Sequence, residues 1–201
     1  MWKALQLVES GEADACVSAG NTGALLTMAF YLLKTLPGID RPALVSDMPT
    51  ASHHRVFLLD LGANVNCTSE ILFQYGVMAS VLAEQISGIE SPRVALLNVG
   101  EEDIKGNAQV KYADQLFKNA KGINYIGYVE GDDIFTDYAD VVVTDGFTGN
   151  IALKSCEGLA KLVINEVKRQ SQANFFSRMM ARIALPLLKT VYNRVNPDQY
   201  N

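Results

Sequence analysis

The chain has 201 residues, 49% hydrophobic and 19% charged, enough to bury a core and to make one globular domain the simplest organisation. A formal charge of -5 argues against general nucleic-acid binding, which depends on Lys and Arg neutralising phosphates. Cys16, Cys67 and Cys156 are widely spaced, odd in number and form no CxxC pair; neither a disulfide framework nor a structural zinc site is expected, and reduced thiols fit a cytoplasmic protein.

Met1 to Val8 reads as the second half of a helix closing at Gly11, with Ala4, Leu5 and Val8 on one face. It lacks the basic start and apolar run of a secretory leader. A first strand is predicted at Ala15–Ser18, then a helix over Thr22–Lys34. That helix holds the longest largely apolar stretch, Ala24 to Leu33, well short of the ~20 residues that span a bilayer. Strands follow at Ala43–Ser46 and Val56–Asp60. A helix is predicted over Ser69–Ser87, where Ile71, Leu72, Tyr75, Met78, Ala79 and Leu82 recur at helical spacing. Next come a strand at Val94–Asn98, a helix over Asn107–Asn119, strands at Tyr125–Val129 and Val141–Thr144, and a helix over Asn150–Arg169. Strands alternating with helices imply a mainly parallel sheet covered on both faces, a Rossmann-like three-layer α/β fold over residues 1–170.

Residues 171–201 read differently, as a protruding basic amphipathic segment that ends in the start of a return loop. From Val167 to Pro197 there is no acidic residue, whereas Lys168, Arg169, Arg178, Arg182, Lys189 and Arg194 all occur. Phe176, Met180, Ile183, Leu187 and Val191 recur every three or four positions. Pro186 is expected to interrupt the helix near Leu185, giving a helix-turn-helix with an apolar tip at Ile183–Leu188. Two readings stand open: Ile183, Leu185, Leu187 and Leu188 enter the headgroup region of an anionic membrane, or the apolar stripe packs in a dimer interface or against a further C-terminal part.

In an open parallel sheet, ligands bind beyond the carboxyl ends of the strands. Four loops are predicted there. The first carries Ser18, Gly20, Asn21, Thr22 and Gly23; the second Asp60, Gly62 and Asn64; the third Asn98, Gly100 and Lys105; the last Asp145, Gly146, Gly149 and Asn150. Glycines admit close backbone approach and helix starts favour anions, so the set suits phosphate. Each loop alone reads as an ordinary turn, since Gly and Asn tolerate unusual backbone angles, and it is four such loops on one sheet edge that point to a site. Lys105 has two readings, a phosphate or oxyanion contact and a solvated lysine paired with Glu101 or Glu102. Asp60 and Asp145 are either caps or site residues.

Several chemistries are missing. There is no GxxxxGK[ST], GxGxxG or GxSxG string, and the two histidines, His53 and His54, stand side by side in a polar loop. No metal and no cofactor is expected. Cys67 is the one thiol near the predicted edge, and burial usually explains a free cysteine.

At these loops the chain resembles the bacterial phosphate acyltransferase family. The matching strings are Gly11–Ala24, Arg41–Leu44, Asp60–Val65, Pro92–Glu102, Lys105–Asn107, Ala139–Asn150 and Leu153–Lys154, in the family's order. The resemblance implies a homodimer related in fold to phosphotransacetylases, with acyl carrier protein and inorganic phosphate as partners. It further implies a peripheral association with the inner face of the plasma membrane. It also implies a glycine-rich N-terminal motif before Met1 and a further segment after Asn201, so the chain is expected to be part of the family's length. The expected chemistry is attack of phosphate on an acyl thioester, with Lys105, Asn98, Asn64 and Asp145 at the reacting centre and no covalent intermediate. An acyl coenzyme A donor, or a non-catalytic chain that binds membrane or partner, are the competing readings; the basic segment docking the acidic carrier protein is another.

Overall fold

A computed structural model of the chain describes residues 1–52, 54–102 and 104–195; the side chains of Leu185, Leu188, Arg194 and Val195 lie outside that description, as do His53, Asp103 and the predicted return loop. Two helices come first, α1 (Trp2–Glu9) and α2 (Thr22–Leu33). Strands β1 (Val45–Pro49) and β2 (Arg55–Leu59) form an antiparallel hairpin. Then follow α3 (Ser69–Ser87), β3 (Arg93–Leu97), α4 (Ala108–Asn119), β4 (Asn124–Val129), a short 3-10 turn (Asp133–Phe135) and β5 (Val141–Val143). Two long helices close the described chain, α5 (Gly146–Gln172) and α6 (Phe175–Val195).

The strands lie in the order β1-β2-β5-β3-β4, all parallel except β1. Side chains alternate between faces with period two. Phe57, Leu59, Val94, Leu96, Val141 and Val143 point to one side, where α3 and α4 cover them with Leu72, Tyr75 and Phe117. Val56, Leu58, Ala95 and Val142 point to the other, beside Ile134 and Leu153 of α5. Gly76 lets α4 approach α3, since a Cβ there would stand 2.3 Å from Phe117 Cζ. The result is the expected three-layer α/β arrangement with a mainly parallel sheet.

Two predicted elements differ. Ala15–Ser18 forms no strand; Val17 is 98% exposed, and the segment pairs with no strand among the described residues. An apolar run is only half of a strand, and the ladder partner is the other half. In the C-terminal segment Pro186 does not break the helix: α6 runs through it from Phe175 to Val195. The reversal falls instead at Ala173–Asn174, where α5 ends and Asn174 accepts from the Ser177 N–H to start α6. Ile183–Leu188 is therefore part of the helix body and not a tip. Phe176, Ile183 and Leu187 remain largely exposed, and no helix among the described residues is long and apolar enough to cross a membrane.

Candidate active site

The connections leaving adjacent parallel strands diverge at one place. After β3 the chain goes to α4 on one face, and after β5 to α5 on the other. A crevice opens where neighbouring connections part in this way. A cleft of about 560 Å³ lies there, lined by Val65, Asn66 and Cys67 after β2, by Asn107, Gln109 and Val110 at the start of α4 and by Asp145, Phe147 and Thr148 at the start of α5. Two helix N-termini thus border one cavity. Asn107 caps α4 by accepting from the Val110 N–H at 2.8 Å. Asp145 caps α5, accepting from the Thr148 N–H at 2.9 Å and from the Thr148 hydroxyl at 2.8 Å. The first amides of a helix have no intrahelical acceptor, and the helix dipole adds positive potential at that end. Helix starts of this kind favour an anion, with the Asp145 carboxylate on the same wall acting against it.

The β2 loop is built on Asp60, which is fully buried. Its carboxylate accepts from the backbone N–H groups of Leu44, Gly62, Ala63 and Asn64 and from Asn64 Nδ2. Asn64 is 8% exposed, and Nδ2 also donates to the Pro42 carbonyl at 2.8 Å and to Tyr75 Oη at 2.6 Å. Both side chains are thus committed to holding the loop. Gly146 and Gly149 bring α5 against it: the Gly146 N–H donates to the Asn64 carbonyl, and a Cβ on Gly149 would stand 2.0 Å from the Asp60 carbonyl oxygen. Those two glycines serve close packing. Gly62, at φ 123°, faces the exposed Asn150 across the same contact.

In the β3 loop, Asn98 Nδ2 donates to the carbonyls of Gly100 at 2.9 Å and Lys105 at 3.4 Å. Asn98 braces this loop from within, and a Cβ on Gly106 would collide with its Oδ1. Lys105 pairs with Glu102 at 2.7 Å, two residues from the cleft wall at Asn107 and not itself part of the lining. The Glu102 hydrogen bond raises the Lys105 ammonium above its ordinary value. An exposed pair of this kind is held weakly, and a bound anion competes for the same ammonium.

The remaining predicted loop stands apart. Ser18 Oγ accepts from the Gly20 N–H and Asn21 caps α2 through the Ala24 N–H, both local contacts. Thr22 borders a different hollow, of about 370 Å³, walled by apolar residues of α1 and α2 such as Leu5 and Leu26. Gly23 accepts from Thr27 Oγ1 within that helix. The structure therefore brings together the loops after β2, β3 and β5 at the carboxyl edge; the Ser18–Gly23 turn does not follow a sheet strand. His54 sits at the opposite, amino edge, where its carbonyl closes the β1–β2 hairpin with Thr50. Cys67 does line the cleft, but burial, as the largest influence, pushes its thiol up, and it donates to the Asn64 carbonyl. A thiol held protonated is a poor nucleophile.

Reasoning from loops missed Val65, Asn66, Gln109, Phe147 and Thr148, which line the cleft. The signal for Thr148 was present as the third residue after a capping Asp. The others have no sequence signal that distinguishes a cleft wall from a surface.

The chain matches the family model described as "Fatty acid synthesis protein" over residues 1–201. A phosphate acyltransferase from Pseudoalteromonas atlantica is 64% identical over 198 residues, 98% of this chain and 58% of that protein. One from Alkalilimnicola ehrlichii is 57% identical over 197 residues, 98% of this chain and 57% of that protein. The chain thus spans less than two thirds of the length of the curated relatives it matches. Among solved structures, a phosphotransacetylase from Streptococcus pyogenes superposes with a TM-score of 0.64 at 22% identity, over 80% of this chain and 55% of that one. A phosphotransacetylase from Staphylococcus aureus gives a TM-score of 0.59 at 21% identity with the same coverage. Likeness at that identity concerns the fold, which agrees with the Rossmann-like α/β expectation. With the family model matched from end to end, the chain belongs to the Fatty acid synthesis protein family.

Proposed function

We propose that the chain carries the phosphate-binding part of a phosphate acyltransferase, which moves a fatty acyl group from an acyl-acyl carrier protein thioester to inorganic phosphate for phospholipid synthesis. The observation that carries this reading is the cleft at the carboxyl edge, bordered by the starts of α4 and α5. The names of the relatives support it. A phosphate oxygen attacks the thioester carbonyl carbon, the new C–O bond forms, the carbonyl oxygen takes the negative charge, and the C–S bond breaks to release the carrier's thiolate. Phosphate is already anionic and a thiolate leaves readily, so positioning and charge stabilisation suffice without a nucleophilic side chain.

In this reading the helix-start amides hold phosphate and Lys105 leaves Glu102 to neutralise developing charge. Asn98 fixes the Lys105 loop, while Asp60, Asn64 and Asp145 fix the loops around it. The protein acts as a homodimer without a cofactor at the cytoplasmic face of the membrane. The homodimer rests on the resemblance. The exposed apolar stripe with Ile183 and Leu187 supports contact with a membrane surface, while Arg178, Arg182 and Lys189 stand on another face of α6, along the groove against α5.

The test is acyl phosphate formation by the intact protein, trapped with hydroxylamine as the hydroxamate, with acyl-acyl carrier protein and acetyl coenzyme A compared as donors. Lys105→Ala is expected to lower turnover roughly a hundredfold with the fold intact. Wild-type protein that forms no acyl phosphate contradicts the reaction; use of acetyl coenzyme A alone contradicts the donor; unchanged turnover in Lys105→Ala removes the lysine from the scheme.

A further inference from the structure

The cleft has a second character that phosphate does not use. Phe147, the second residue of α5, and Val65, in the β2 loop, both line it and are 58% and 57% exposed. Polar neighbours Asn66, Asn107 and Thr148 line the same cavity. Single exposed hydrophobic residues are ordinary, but an aromatic ring and a branched side chain on one ligand-sized cleft beside an anion-favouring helix start form a mixed surface. Phe147 is not fastening α5, because that start is held by Asp145, by the Gly146 amide and by the close approach of Gly149.

We propose that Val65 and Phe147 form the seat for the apolar acyl end of the thioester donor, so that one cleft holds both reactants. The inference rests on the acyl-transfer reading and extends it to specific residues that recognise the donor. Inorganic phosphate has no apolar surface to cover. An acyl chain does, and its first methylenes laid over Phe147 would bring the thioester carbonyl towards an anion held at the starts of α4 and α5. Covering the ring also removes water from beside the reacting carbon, which strengthens charge stabilisation there.

The test uses calorimetric binding of non-reactive thioether analogues of acyl-pantetheine, carrying a butanoyl-length or a dodecanoyl-length chain, to the intact protein. Wild type is expected to bind the longer analogue more tightly. Phe147→Ala weakens that binding about tenfold, the loss expected when a large apolar contact is removed. Phe147→Leu recovers most of it, and Val65→Ser loses affinity in the same direction. Equal binding of the longer analogue by wild type and Phe147→Ala overturns the seat, as does a loss in Phe147→Ala that Phe147→Leu fails to recover. The readout is independent of turnover: wild type that binds the longer analogue through Phe147 yet forms no acyl phosphate supports the seat while sinking the reaction.

Discussion

At the scale of single residues, the loops around the cleft are fixed by contacts that admit little change. Asp60 gathers four backbone amides and one side-chain amide inside the protein, and α5 comes within touching distance of its carbonyl only because residue 149 has no Cβ. Gly149→Ala forces a methyl group onto a backbone oxygen that cannot swing away. We expect a loss of about 2–3 kcal/mol, seen as a lower urea midpoint with an unchanged slope. An unaltered midpoint contradicts the tight contact. Gly158, also in α5, has open space at its Cβ, and Gly158→Ala is the matching control, with stability held or raised. The sequence marks Asp60, Asn64, Gly146 and Gly149 as special, yet their type alone does not separate a residue that touches ligand from one that shapes the loop. That difference depends on what each faces across the fold, which spacing in one chain does not contain.

At the scale of elements, the hydrophobic pattern was readable wherever an element has its partner nearby. Ser69–Ser87 matches α3 to the residue, and the strands at Val56, Val94, Tyr125 and Val141 match within a residue or so at their ends. Two elements show where the pattern stops being enough. Ala15–Ser18 has the composition of a strand but no neighbour among the described residues to complete its ladder, and Val45–Pro49 starts two residues later than predicted because its register is set by pairing with Arg55–Leu59. Pro186 lies within α6, where Thr190 Oγ1 donates to its carbonyl. The reversal went instead to the Asn174 cap, so the apolar residues form a stripe along the helix. The stripe makes a prediction of its own. Ile183→Glu with Leu187→Glu should abolish co-sedimentation of the intact protein with anionic vesicles while leaving the helical circular dichroism signal in place. Retained sedimentation removes the membrane contact from the account.

At the scale of the whole molecule, the two edges of the sheet are built differently. The carboxyl edge opens the cleft. The amino edge is closed by ionic contacts: Arg93 donates to both oxygens of Asp140 and to the Asp137 carbonyl, and Thr50 Oγ1 donates to the Asp137 carboxylate. Burial alone pushes the Asp140 carboxyl up, but the side-chain and backbone hydrogen bonds from Arg93 outweigh it and leave it below the ordinary carboxylate range. The folded state therefore holds the charged form more firmly than the unfolded chain does. Its stabilisation is complete above the unfolded value of about 4 and is lost as pH falls through the lower folded value. Wild type should lose stability below about pH 4 more steeply than Asp140→Asn, whose amide does not titrate in that window; parallel pH profiles contradict the linkage.

The central claim is that the starts of α4 and α5 bind inorganic phosphate. Amide chemical-shift mapping by two-dimensional nuclear magnetic resonance, with inorganic phosphate titrated into the protein, tests it most directly. Saturable shifts are predicted at the amides of Ala108, Gln109, Phe147 and Thr148, with a smaller response along the loop at Lys105. Shifts confined to the Ser18–Gly23 turn or to the basic α6, with the two helix starts silent, would contradict it.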